Sequence, residues 1–270
     1  MLICALLLLA PLFPPQVPVT GSTGSVSESQ FKAMHDLKAD DGKALLGKEV
    51  LIDKTRGYLS LPKTPRPGRP AVLVIHEWWG LNNHVRHWAD RLALDGYAAL
   101  AVDLYGGVVA TTRDEAMALM KNCDPAEAVK RMQAAESFLR EDKETKAGKV
   151  ASLGWCFGGG MSLRLALASP TLNACALYYG QVPTAKEDLA ALRAPVYAVF
   201  GSLDRSIPVS SVGQFVEGLT EAGKEHQVSL FRAEHAFANP SSPRYETGSA
   251  ELAWEGLRAF LQQKLGPDGR

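Results

Sequence analysis

The chain has 270 residues, with 29 Lys plus Arg against 29 Asp plus Glu and 46% hydrophobic residues. A formal net charge of zero leaves no basic field to gather phosphates, so nucleic acid is excluded as the expected partner, and an acidic disordered tail is excluded with it. The apolar content suits a sizeable core, while no apolar run reaches the roughly 20 residues that a membrane-spanning helix needs.

The chain opens on a run of apolar residues, 1–13, closed by Pro14, Pro15 and Pro18 and followed by small residues at 19–21. This has the length of a signal-peptide core and is too short for a membrane span. Residues 1–21 are therefore expected to be a signal peptide, which implies a periplasmic or secreted protein. No Lys or Arg precedes the run, so a cytoplasmic location is the alternative. Residues 22–47 read as a flexible leader.

From residue 48 to 265 a single α/β domain is expected. Eight strand-like runs fall at 49–53, 57–61, 71–76, 98–104, 149–154, 174–179, 196–201 and 227–232. The later ones are continuously apolar, as in Ala71-Val72-Leu73-Val74-Ile75, which predicts parallel strands covered on both faces. The first two, joined by a short link, predict an antiparallel edge hairpin. Helices are predicted at 83–95, 124–140, 158–169, 209–223 and 246–264. The second starts at an Asp124-Pro125-Ala126-Glu127 cap. Strand and helix alternating over this length predict a three-layer α/β fold with one mostly parallel sheet.

The four cysteines are Cys4, Cys123, Cys156 and Cys175. None forms a C-x-x-C, and four are too few for a disulfide scaffold. Cys156 stands apart. It lies in Gly154-Trp155-Cys156-Phe157-Gly158-Gly159, at a predicted strand-to-helix turn. A nucleophile elbow needs that context: a sharp turn, glycines where two backbones pass closely, a thiol at a helix N-terminus, and the Phe157 N–H facing a developing oxyanion. In such folds the acid and then the histidine follow the nucleophile along the chain. Asp204 follows the strand 196–201, and His235 follows the strand 227–232. His84 and His87 are read as a solvated helix face, His226 as exposed, and His35 as part of the leader. His76-Glu77 is not H-E-x-x-H, so no zinc protease is implied. Glu77 alone reads as a strand-end carboxylate of unknown partner.

Together, His76-Glu77-Trp78-Trp79-Gly80-Leu81-Asn82, Asp103-Leu104-Tyr105, the Cys156 elbow, Asp204 and His235-Ala236-Phe237 resemble the dienelactone hydrolase family, over about residues 48–265. The resemblance implies an α/β-hydrolase fold with a Cys156-His235-Asp204 triad and no metal or organic cofactor. It also implies that Glu77 helps to activate the thiol and that the N–H groups of Phe157 and Trp78 form the oxyanion hole. One departure stands out. The two arginines with which well-known members bind a substrate carboxylate fall here at Gly106, Gly107 and Val108, and at Asn239. Arg113 and Arg244 are the cations near enough in sequence to substitute. Trp78, Trp79, Tyr105 and Phe237 are expected as an aromatic rim, with Asn239 also against the substrate.

The expected activity is hydrolysis of a small neutral or aromatic ester or lactone through an acyl-thioester. The alternatives are carboxymethylenebutenolidase-type dienelactone hydrolysis, acyl transfer on the same groups, and a non-catalytic binding or thiol-sensing protein. A monomer is expected, with a dimer as the alternative.

Overall fold

The computed structural model describes residues 26–34, 45–64 and 68–266; the apolar run 1–13, Cys4 and His35 lie outside them. Eight strands form one sheet: β1 (Lys48–Ile52), β2 (Thr55–Ser60), β3 (Ala71–Ile75), β4 (Ala98–Val102), β5 (Val150–Trp155), β6 (Ala174–Tyr178), β7 (Val196–Gly201) and β8 (His226–Phe231). Their spatial order is β1-β2-β4-β3-β5-β6-β7-β8. β1, β2 and β4 pair antiparallel, and every pair from β4 to β8 is parallel. All eight predicted strands are present, and the first two form the expected edge hairpin.

The helices are α1 (Glu28–Met34), α2 (Asn83–Leu94), α3 (Arg113–Asn122), α4 (Pro125–Glu141), α5 (Phe157–Ala168), α6 (Lys186–Leu189), α7 (Val209–Glu221) and α8 (Thr247–Leu265). Alternate residues of each central strand serve opposite faces. Val72 and Val74 of β3 pack with α1, α2 and α8, whereas Ala71, Leu73 and Ile75 pack with α4, α5 and α7. This division is the physical meaning of the continuous apolar runs: each strand is buried twice.

Besides the one-turn α6, which was not predicted, three features differ from the sequence reading. Part of the expected flexible leader is ordered, because α1 docks on the domain with Phe31 fully buried. α3 was not predicted, since it buries only Ala116, although Thr112 and Glu115 form a capping box that marks its start. His84 and His87 are buried rather than solvated, and His226 is half-buried, its Nδ1 2.8 Å from the Lys224 carbonyl. Phe31 packs 4.3 Å from the Trp88 ring, and His84 Nε2 accepts from Trp88 Nε1 at 3.3 Å.

Candidate active site

In an open α/β sheet, the crevice beyond the carboxyl ends of the strands is where functional groups converge. Here β3 ends at His76 and Glu77, β5 at Cys156, β6 at Tyr179, β7 leads to Asp204 and β8 to His235. The five ends lie on the same edge because their strands are parallel.

Cys156 joins β5 to α5 with φ 53° and ψ −117°, a conformation an L-residue adopts only under constraint. The constraint is close backbone packing. A Cβ on Gly158 would run into the carbonyls of Ile75 and His76, and one on Gly154 into the carbonyl of Gly158. Cys156 is also tied by its own N–H to the Tyr178 carbonyl at 3.0 Å. The N–H of Phe157, at the elbow, and that of Trp78, just after β3, have no acceptor among the described residues.

His235 pairs with Asp204. Nδ1 lies 2.7 Å from Asp204 Oδ2, and Cys156 is near enough to act electrostatically on the same imidazole. Burial by itself would depress the imidazolium. The bond to Asp204 and the charges of Cys156 and Asp204 outweigh it and push the pKa up to about 10. Asp204 is buried, which works against its charge. His235 and the N–H groups of Ser206 and Ile207, at 2.7 and 3.1 Å from Oδ1, more than offset this and keep the carboxyl below its usual range.

Glu77 is buried beside this pair. Burial raises its carboxyl to about 7, against the opposing pull of the His235 charge and of a 2.7 Å hydrogen bond donated by Asn239 Nδ2. Asn239, expected against the substrate, holds Glu77 and is itself 7% exposed. Phe237, expected at the rim, is fully buried against Tyr179 and Phe231, because its residue points back into the sheet face covered by α8. Trp78, Trp79, Tyr105 and Phe157 remain partly exposed. Trp78 and Trp79 meet edge to face at 5.2 Å, and Tyr105 lies 5.6 Å from Phe157.

Two further residues belong to this site that sequence reasoning did not single out. His76 is neutral: burial lowers its pKa, Nδ1 donates to the Glu77 carbonyl at 2.6 Å and Nε2 accepts from the Leu104 N–H at 3.1 Å. It therefore pins the end of β3 to the end of β4. Tyr179 has φ 39° and sets its ring 5.1 Å from that of His235, with a buried hydroxyl that has no partner among the described residues. Its only sequence signal is its place after a buried strand. Arg244 is paired with Glu234 at 3.1 Å, and Arg113 is exposed at the start of α3. A surface cavity of about 440 Å³, lined by Glu49, Arg56, Leu81 and Arg86 among others, touches neither Cys156 nor His235.

The sheet order, the strained elbow and the convergence of strand ends define an α/β-hydrolase fold. The profile of the dienelactone hydrolase family matches residues 55–265. An Aquifex pyrophilus protein named usf is 31% identical over 223 residues, covering 78% of this chain and 94% of its own. A Methylorubrum extorquens protein, provisionally named a carboxymethylenebutenolidase, is 28% identical, covering 90% of this chain and 89% of its own. A crystal structure described as a dienelactone hydrolase-like promiscuous phosphotriesterase from metagenomic libraries superposes with a TM-score of 0.73 at 26% identity, covering 82% of this chain and 98% of its own. The chain belongs to the dienelactone hydrolase family and is a hydrolase of ester bonds.

Proposed function

We propose that the protein hydrolyses a neutral carboxylic ester or lactone through Cys156, with His235 as proton-transfer group, Asp204 as its orienter and an acyl-thioester as intermediate. The observation that carries this reading is the His235 imidazole bonded to Asp204 at 2.7 Å on the same sheet edge as the strained Cys156 elbow. His235 takes the proton of the Cys156 thiol, which makes the sulfur the nucleophile. The thiolate adds to the substrate carbonyl and forms a C–S bond. The oxyanion is received by the free N–H groups of Phe157 and Trp78. Collapse breaks the ester C–O bond, and His235 gives its proton to the departing alkoxide. The now neutral His235 takes a proton from water as its oxygen adds to the thioester, and C–S cleavage restores the thiolate and the imidazolium. Glu77 supports the charged imidazole from the side.

The neutral substrate follows from charge. Position 239 is an asparagine engaged with Glu77, and glycines stand at 106 and 107. Arg244 is taken by Glu234. An anionic substrate would meet the Glu77 carboxylate with no arginine beside it at positions 106, 107 or 239. Trp78, Trp79, Tyr105 and Phe157 offer partly exposed aromatic surface instead. A monomer is the proposed working unit, with a dimer as the alternative. The apolar run 1–13 supports export as the proposed location.

The test compares kcat/KM for a neutral aryl ester, a carboxylated dienelactone and a neutral phosphotriester, with Cys156→Ala as the blank. Preference for the aryl ester supports the reading. Preference for the dienelactone overturns the neutral substrate, and the phosphotriester as best substrate overturns the carboxylic ester. No turnover above the blank on any of the three favours a binding or thiol-sensing role.

A further inference from the structure

The family match begins at residue 55, yet residues 26–34 are built into the domain. α1 lies against α8, and its contacts there are charged as well as apolar. The Arg91 guanidinium of α2 is stacked between two rings, 4.4 Å from the centroid of Phe31 and 4.1 Å from that of Trp254. Its anion comes from the same segment: Glu28 Oε2 lies 2.9 Å from Arg91 Nη2, with the two side chains only 2% and 1% exposed. The Val26 carbonyl accepts a further bond from Arg91 at 3.4 Å. A charge buried this deeply needs its partner, so α1 completes a site that the domain by itself would leave as an unpaired cation.

The same carboxylate reaches the functional edge. Glu28 Oε1 accepts from the Tyr245 hydroxyl at 2.8 Å, and Lys32 Nζ sits 5.3 Å over the Tyr245 ring. Tyr245 ends the segment that starts at His235. Between them run three consecutive backbone turns: the Asn239 N–H donates to the Ala236 carbonyl at 3.1 Å, Ser242 to Asn239 at 2.9 Å, and Tyr245 to Ser242 at 3.1 Å. Glu246 closes the segment with a 3.0 Å bond from its N–H to the Phe237 carbonyl. Within these turns sits Asn239, the donor to Glu77.

We propose that residues 26–34 are a clasp on the active-site loop and that Glu28 is a positioning residue, setting through Tyr245 the turns that aim Asn239 at Glu77. This rests on the reading of Glu77 and His235 as working groups. When the clasp is in place, the loop has two fixed ends, one at β8 and one at Glu28. When Glu28 loses its charge, the loop loses its tie to α1 at Tyr245, and the Asn239 bond to Glu77 slackens.

The experiment uses the full chain with Glu28→Gln and Tyr245→Phe, the second removing only the hydroxyl that meets Glu28. Amide exchange is followed over 236–246, and kcat/KM for a neutral aryl ester is followed against pH. Both variants are expected to speed exchange at Ser242, Tyr245 and Glu246 by about tenfold. They are expected to lower kcat/KM by about tenfold, mainly through kcat. The acidic limb should move to higher pH, because a weaker Asn239 bond stabilises the Glu77 carboxylate less. Faster exchange confined to α1, with the 236–246 amides and the acidic limb unchanged, would overturn the clasp and leave α1 as packing alone. The exchange arm is repeated in a Cys156→Ala background, where turnover plays no part. If the parent chain turns over no ester, the functional reading fails while the exchange result still decides the clasp.

Discussion

Asn239 Nδ2 donates a 2.7 Å hydrogen bond to Glu77 Oε2, joining the loop after β8 to the end of β3. The bond puts a neutral donor on a buried carboxylate that titrates at about 7, close to the pH at which the site would work. It favours the ionised form and so holds that value down. Asn239→Ala removes it. The acidic limb of kcat/KM against pH should then move upward. A limb that stays in place would mean that Glu77 ionisation does not govern the reaction.

Glu77 also sets a stability prediction. Its carboxyl titrates at about 7 in the folded chain and at the ordinary value of 4.5 in the unfolded one. Between these values the folded state binds more protons, so Glu77 makes the protein lose stability as pH rises from about 4.5 to 7. Glu77→Gln should remove that loss. The variant should gain up to about 3 kcal/mol over the parent between pH 4.5 and pH 8 in urea unfolding, while losing activity. An equal difference between variant and parent at both pH values would contradict the raised carboxyl.

Cys156→Ala should abolish ester turnover and leave the melting temperature nearly unchanged, since the elbow already accepts a small side chain among glycines. His235→Asn and Asp204→Asn should each lower kcat by about 10⁴-fold, by analogy with the size of such losses in serine triads. Losses under tenfold in steady-state assays would assign proton transfer to another group.

Gly158→Ala tests the elbow as packing. The added methyl would meet the carbonyls of Ile75 and His76, which are backbone and cannot rotate away. Destabilisation of about 1–3 kcal/mol is expected, with activity falling as the Phe157 N–H is displaced. An unchanged unfolding midpoint would show that β3 and α5 can separate without cost.

The strands and the elbow were legible along the chain because each is a local matter. A run such as 71–75 is apolar on every residue because both faces of β3 are covered, and Gly154 and Gly158 bracket Cys156 because two backbones cross there. Asp204 and His235 were legible through their order after buried strands, since parallel strands bring their carboxyl ends to one edge. The two residues at the heart of the pH prediction were legible only as types. Asn239 read as a substrate contact, and Glu77 had no partner until the loop after β8 was laid beside β3. Phe237 and His84 misled for the same reason. A loop phenylalanine and a helix histidine carry no mark of which way they face, and burial was decided by tertiary packing around each. α1 itself read as leader because seven residues hold too little apolar surface to announce a helix. Local periodicity and glycine spacing therefore determined the sheet, the elbow and the nucleophile candidate. Which carboxylate meets which donor was decided by tertiary packing, because a hydrogen bond spanning 162 residues leaves no periodic trace in the chain that forms it.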